Sequence, residues 1–248
     1  MYLAEVKLSN IVKKQYSYKL KSYSSGFTSL IFIQMIAILF SFNGSSMMGG
    51  GSETFSYDVK YFTGSMILVF TMLWAFIVGI LITTKAYRND DYSFVTNQAA
   101  SQYSNILFLL SACAFAGVTA FLSTHLFQLI AVFVLKDHSF MMQQLTVGEM
   151  LKGLCASYLY IFLLASIGYF AGMLIQFNRA FVFILPVVIF GLLILEGVVT
   201  GESTMLFKTG IFFGDETSFV LFAIKVIGVS SLFYAAASFL LRQMEVKA

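Results

Sequence analysis

YFTGSMILVFTMLWAFIVGILITT, residues Tyr61–Thr84, carries no charged side chain. About 20 consecutive apolar residues, rising 1.5 Å each as a helix, match the hydrocarbon core of a bilayer. The rest of the chain shares this character. Of its 248 residues, 59% are hydrophobic and 11% charged, with 28 Phe and one Pro. A soluble domain has about 45–50% and about 25% respectively. So few polar side chains cannot cover a water-facing surface, so lipid solvates most of this protein. The small net charge of +3 offers nothing to nucleic acid.

Outward from Tyr61–Thr84, the charges cut the chain into span-sized pieces. The reading predicts an all-α polytopic membrane protein with six transmembrane helices, near 24–42, 61–84, 105–135, 147–175, 180–200 and 217–241. In the fifth, only residues 180–195 lie uncharged between Arg179 and Glu196, so Glu196 is expected near an interface or facing protein. The N-terminus does not read as a cleaved signal. Lysines 7, 13, 14, 19 and 21 precede the apolar run, which is too long for a signal core and has no small-residue cleavage site.

Lys and Arg concentrate on the cytoplasmic side of membrane proteins. With the N-terminus inside, Lys7, Lys13, Lys14, Lys19, Lys21, Lys85, Arg88, Arg179, Arg242 and Lys247 are cytoplasmic, 10 of the 15 basic residues. An even number of spans returns the C-terminus inside. The expectation is a multi-pass membrane protein with both termini cytoplasmic.

The polar pieces between spans are informative. Within 1–22, Leu3, Val6, Leu8, Ile11, Val12 and Tyr16 alternate with lysines at near-helical spacing. This predicts an amphipathic helix on the inner leaflet with its lysines near anionic headgroups; the simpler reading is a basic topology anchor. Met47-Met48-Gly49-Gly50-Gly51-Ser52 reads as a flexible outer loop, since it lacks the Gly-Lys-Ser/Thr ending of a phosphate loop. Lys85–Asn105, KAYRNDDYSFVTNQAASQYSN, is short, polar and aromatic. Tyr92, Phe94 and Val95 offer an apolar contact, and Arg88, Asp90 and Asp91 a polar rim, which suits a small docking surface. A solvated turn is the plainer alternative. After Glu196 the chain is broken by Gly and charge, consistent with short interfacial or re-entrant pieces.

No catalytic constellation is visible. His125 and His138 have no carboxylate or Cys at ligand spacing, and Cys113 and Cys155 read as packing residues inside apolar runs. The expectation is no enzyme active site, no metal and no cofactor in this chain. The ionisable residues nearest membrane depth are Glu149, Lys152, Glu196 and Lys225, all near the outer face, where they are functional suspects or snorkelling side chains. Small residues at helical spacing (Ala112, Ala116 and Ala120; Gly168 and Gly172; Ser231 and Ala235) permit close helix contact within or between subunits. Pro186 should kink the fifth span and is a hinge candidate.

The layout resembles the ABC-2 type permeases, the membrane subunits of ATP-binding-cassette exporters. The resemblance covers nearly the whole chain as layout. Its most specific part is Ala86–Leu110, AYRNDDYSFVTNQAASQYSNILFLL, which looks like the segment joining spans two and three in small Gram-positive permeases. The resemblance implies a single transmembrane domain over 1–248, with 1–22 as a connecting helix that rests against the ATPase through Lys7, Lys13, Lys14 and Lys19. It makes 85–104 the coupling segment, docking through Arg88, Asp90, Asp91, Tyr92, Phe94 and Val95. Short extracellular helices would follow span five, near 195–213. Many family members carry Glu-rich charge before the coupling segment, where this chain has Arg88-Asn89-Asp90-Asp91. The implied partners are cytoplasmic ATPase subunits that bind ATP and Mg, an identical or sibling permease, and membrane lipid. The implied cargo is apolar or amphipathic, amphipathic peptides such as phenol-soluble modulins being one choice. Two other classes are a non-transporting accessory or immunity protein and an ion-gradient-driven carrier.

Overall fold

The computed structural model describes residues 8–42, 46–52, 55–61, 64–87, 98–135, 146–200, 208, 211–213, 216 and 218–245. In chain order they form α1 (Leu8–Ser22), α2 (Ser24–Ser41), β1 (Ser46–Ser52), β2 (Phe55–Tyr61), α3 (Ser65–Thr83), α4 (Gln98–Leu135), α5 (Val147–Phe177), α6 (Phe181–Thr200) and α7 (Phe219–Glu245). Among the described residues, α2, α3, α4, α5 and α7 are long and apolar enough to cross a membrane. This is a membrane-embedded helical protein. The region of the expected fifth span is helical as α6, but its apolar stretch Phe181–Glu196 is shorter than the other five.

Two expectations are corrected. The glycine run is not an unstructured loop, because β1 pairs antiparallel with β2, with Gly49 opposite Asp58, Gly50 opposite Tyr57 and Gly51 opposite Ser56. The all-α description therefore holds for the candidate spans and not for this hairpin. Its signal was in β2, FSYDVKY, where apolar and polar residues alternate with the period of a strand. Glycines alone make a weak strand, but pairing with β2 satisfies the backbone. Second, α4 begins at Gln98 and not near 105, so the polar run Gln98–Asn105 belongs to the same helix as the span. At 38 residues α4 is about 57 Å long. It therefore extends beyond a hydrocarbon core of about 30 Å.

The chain divides into two compact units, Met1–Ala75 with Asn97–Ile161, and Phe76–Thr96 with Phe162–Ala248. In the first, α1 and α2 both pack on α4. Ala112, Cys113, Ala116 and Ala120 give α4 a buried face of small side chains. That face lets neighbours approach: a Cβ on Gly117 would sit 3.4 Å from the Tyr158 Cα of α5. Ala37, Ile67, Ala120, Phe127 and Ala131 form a continuous apolar cluster.

In the second unit, the end of α3 meets the second half of α5 through glycines. A Cβ on Gly168 would fall on the Phe76 carbonyl group, 2.9 Å from its carbon, and one on Gly172 would lie 3.1 Å from the Ile80 Cα. The Gly168 and Gly172 pair thus packs within the chain. Ser231 and Ala235 instead lie on an exposed face of α7. Tyr234 of α7 reaches α5, its ring 5.7 Å from Phe162 and 5.4 Å from Tyr169. α6 exposes apolar side chains on nearly every side, Phe183, Val187 and Ile194 among them. Such a surface is stable only under lipid or protein.

Candidate functional site

Two polar clusters stand out among the described residues. The first is the seam between α1 and α4. Helical spacing puts Gln15, Lys19 and Tyr23 on one face of the N-terminal segment, and all three are buried. The Lys19 ammonium, 1% exposed, donates to Ser104 Oγ at 2.8 Å and also to Asn105 Oδ1. Ser104 spends its own proton on Ser101 O, leaving its lone pairs for the lysine. One turn earlier, Tyr16 and Ser111 hydroxyls meet at 2.7 Å. Because Ser111 already donates to Leu107 O, Tyr16 is the donor. Gln15 is fully buried, and neither its amide nitrogen nor its oxygen has a hydrogen-bond partner.

This seam corrects the interfacial-helix expectation in part. Lys13 and Lys14 are exposed, as that reading requires, but Lys19 is inside the protein. Leu8 is exposed. Ile11, Val12 and Tyr16 are half-buried as the periodicity implies, while Lys19 turns inward because α4 offers it a hydroxyl and an amide oxygen. Lys7, Arg88, Asp90, Asp91, Tyr92, Phe94 and Val95 lie outside the described residues.

The second place is a polar centre among α2, α3 and α4. Gln34 Nε2 donates to Thr71 Oγ1 at 3.2 Å and to Thr119 Oγ1 at 3.1 Å, while Ser123 Oγ donates to Gln34 Oε1 at 3.3 Å. Thr71 and Thr119 direct their own protons to carbonyls one turn back, Ile67 O and Phe115 O. Every proton has an acceptor, which also fixes the orientation of the amide. Such a satisfied network glues spans together in an apolar medium. Trp74 Nε1 to Ser29 Oγ, 3.0 Å, adds a second tie between α2 and α3. No motif marks these residues in the sequence. Their signal was a lone Gln inside an apolar span.

The four ionisable residues expected near the outer face each have their own local surroundings. Glu149 Oε2 accepts the backbone N–H of Thr146 at 2.8 Å, so Glu149 closes the capping box of α5. Lys152 is exposed and Glu196 half-buried. Lys225 pairs with Glu216, donates to Phe212 O at 3.3 Å and lies 4.3 Å from the Phe212 ring centroid. Residues 211–213 are helical. Asn178 begins α6, accepting Ala180 N–H on its side chain and Phe181 N–H on its backbone. Pro186 lies inside α6, where its ring deprives one carbonyl of a donor.

His125 contacts Gln128 Oε1 at 3.2 Å and stands edge-on to Phe121 at 4.5 Å, both neighbours on its own helix. Among the described residues, no group of three His, Cys, Asp or Glu side chains converges as a metal site. No protein family profile, curated protein or solved structure matches the chain.

Proposed function

We propose that the chain is the membrane-spanning permease subunit of an ATP-binding-cassette exporter. The observation that supports this reading best is the α1 to α4 seam. Lys19 fastens the N-terminal helix to Ser104 and Asn105, at the very end of the 85–104 segment expected to dock on an ATPase. A pull on either polar element is then transmitted to the other and into the long α4 (38 residues). That is what a subunit driven from a separate ATPase requires, provided the ATPase binds the two permease conformations with different affinity.

On this reading α6 is the fifth of six spans, both termini face the cytoplasm of a bacterial plasma membrane, and Pro186 is a hinge. Arg88, Asp90, Asp91, Tyr92, Phe94 and Val95 contact the ATPase, and short helices follow α6 outside. A second permease, identical or a sibling, pairs with this chain, and an apolar or amphipathic cargo passes between the two bundles. ATP and Mg bind the partner subunit.

The test is affinity purification of the tagged chain in mild detergent. A co-purifying ATPase with a Walker motif supports the reading. In the reconstituted complex, Phe94→Asp should abolish cargo-stimulated ATP hydrolysis. Recovery of the chain without any ATPase, with function intact in Phe94→Asp, would favour the accessory-protein class instead.

A further inference from the structure

The polar underside of α1 carries an inference that does not depend on the exporter reading. A helix docked on its neighbour normally buries an apolar stripe. The fully buried residues of α1 are instead Gln15 and Lys19, while Ile11, Val12, Tyr16 and Leu20 are only half-buried. Removing Gln15 and Lys19 from water contributes little hydrophobic stabilisation. Gln15 opposes docking outright, because its amide surrenders water and receives no partner. An orphaned buried polar group shifts such an equilibrium by roughly 5- to 150-fold.

The helical geometry also breaks at the covalent joint. α1 and α2 are separated by Tyr23 alone, with φ −99° and ψ 26°, outside helical geometry. A Cβ on Gly26 would meet nothing within 4 Å, so the first turn of α2 is uncrowded at that position. α1 contains four lysines and no acidic residue. Lys13, Lys14 and Lys21 are exposed in the docked helix, whereas Lys19 is sequestered against α4.

We infer that α1 is a hinged arm in equilibrium between the docked position and an undocked one, and that an anionic membrane surface draws it off α4. A ligand shifts an equilibrium only through its different affinity for the two states. The difference here is Lys19, which reaches headgroups only after undocking. One lysine near an anionic leaflet corresponds to about a fivefold shift. Gln15 gains water in the same movement.

The experiment uses the full chain in nanodiscs, with Cys113→Ala and Cys155→Ala removing the native thiols. Spin labels go on the exposed positions of Lys14→Cys in α1 and Tyr103→Cys in α4. Pulsed electron–electron distances are then recorded in neutral phosphatidylcholine and in mixtures with up to half phosphatidylglycerol. The expected result is a short and a long distance, the long population rising about fivefold with lipid charge. Gln15→Leu, which removes the orphaned amide, should reduce the long population at least fivefold, and Gln15→Met should act alike. A single short distance at every composition overturns the inference. So does a long population indifferent to lipid charge, or one that neither Gln15 substitution reduces. The lipid series alters nothing on the arm's buried face, so it decides the matter even if a Gln15 variant misfolds.

Discussion

Gly168 of α5 lies directly against the Phe76 carbonyl of α3, so close that a methyl group at 168 would occupy the carbonyl's space. The obstacle is backbone, which cannot rotate away as a side chain can. Gly168→Ala should therefore separate the helices and cost about 1–3 kcal/mol. Gly228 of α7 has open space around its Cβ position. Gly228→Ala should be neutral or stabilising by up to about 1 kcal/mol, since alanine is the better helix former. Thermal denaturation in one detergent, comparing the two variants, checks both.

The polar centre at Gln34 makes a second forecast. Gln34→Leu removes three hydrogen bonds linking α2 to α3 and α4. Interhelical bonds in membranes average about 0.6 kcal/mol, so the loss should total about 1–2 kcal/mol. A double-mutant cycle with Thr71→Val should show coupling of about 0.6 kcal/mol. Additive effects of the two substitutions would show that the bond contributes nothing.

Glu149 is expected to behave as a cap and not as a charge. Its carboxylate accepts one backbone N–H at the start of α5. Glu149→Gln keeps an acceptor and should change stability by less than about 0.5 kcal/mol, whereas Glu149→Ala should cost about 0.5–1 kcal/mol. Equal losses in both variants would mean that the charge itself matters.

Lys225 and Glu216 remain partly open to solvent, at 29% and 22% exposure. A pair so placed contributes about 0.2–1 kcal/mol. Glu216→Gln should lower the melting temperature slightly in dilute buffer, and the difference should fade in 1 M salt, where screening is nearly complete at about 3 Å. A salt-independent loss would point to packing at Phe212 instead.

The membrane character was open to inspection because it rests on composition. Long uncharged runs such as Tyr61–Thr84 have no stable home in water, whatever they later touch. The β1 and β2 hairpin was half legible. The alternation of Phe55, Tyr57, Val59 and Tyr61 with Ser56, Asp58 and Lys60 marks a strand, but a partner made of glycines carries no pattern of its own. Glu149 was visible as a charge near an interface, and Thr146 three residues earlier was the overlooked sign of a cap.

The sequence by itself determined that lipid surrounds most of this chain and roughly where its helices run, since transfer of apolar side chains is a local and additive property. Only the tertiary structure decided which polar side chains turn inward. Lys13 and Lys19 look alike along the chain, yet one is exposed while the other is buried against Ser104 and Asn105. Gln34, too, becomes a centre only because Thr71, Thr119 and Ser123 arrive from other helices or later turns. A hydrogen bond depends on where its partner stands, and residues 37 to 89 positions apart in sequence are brought together by packing alone.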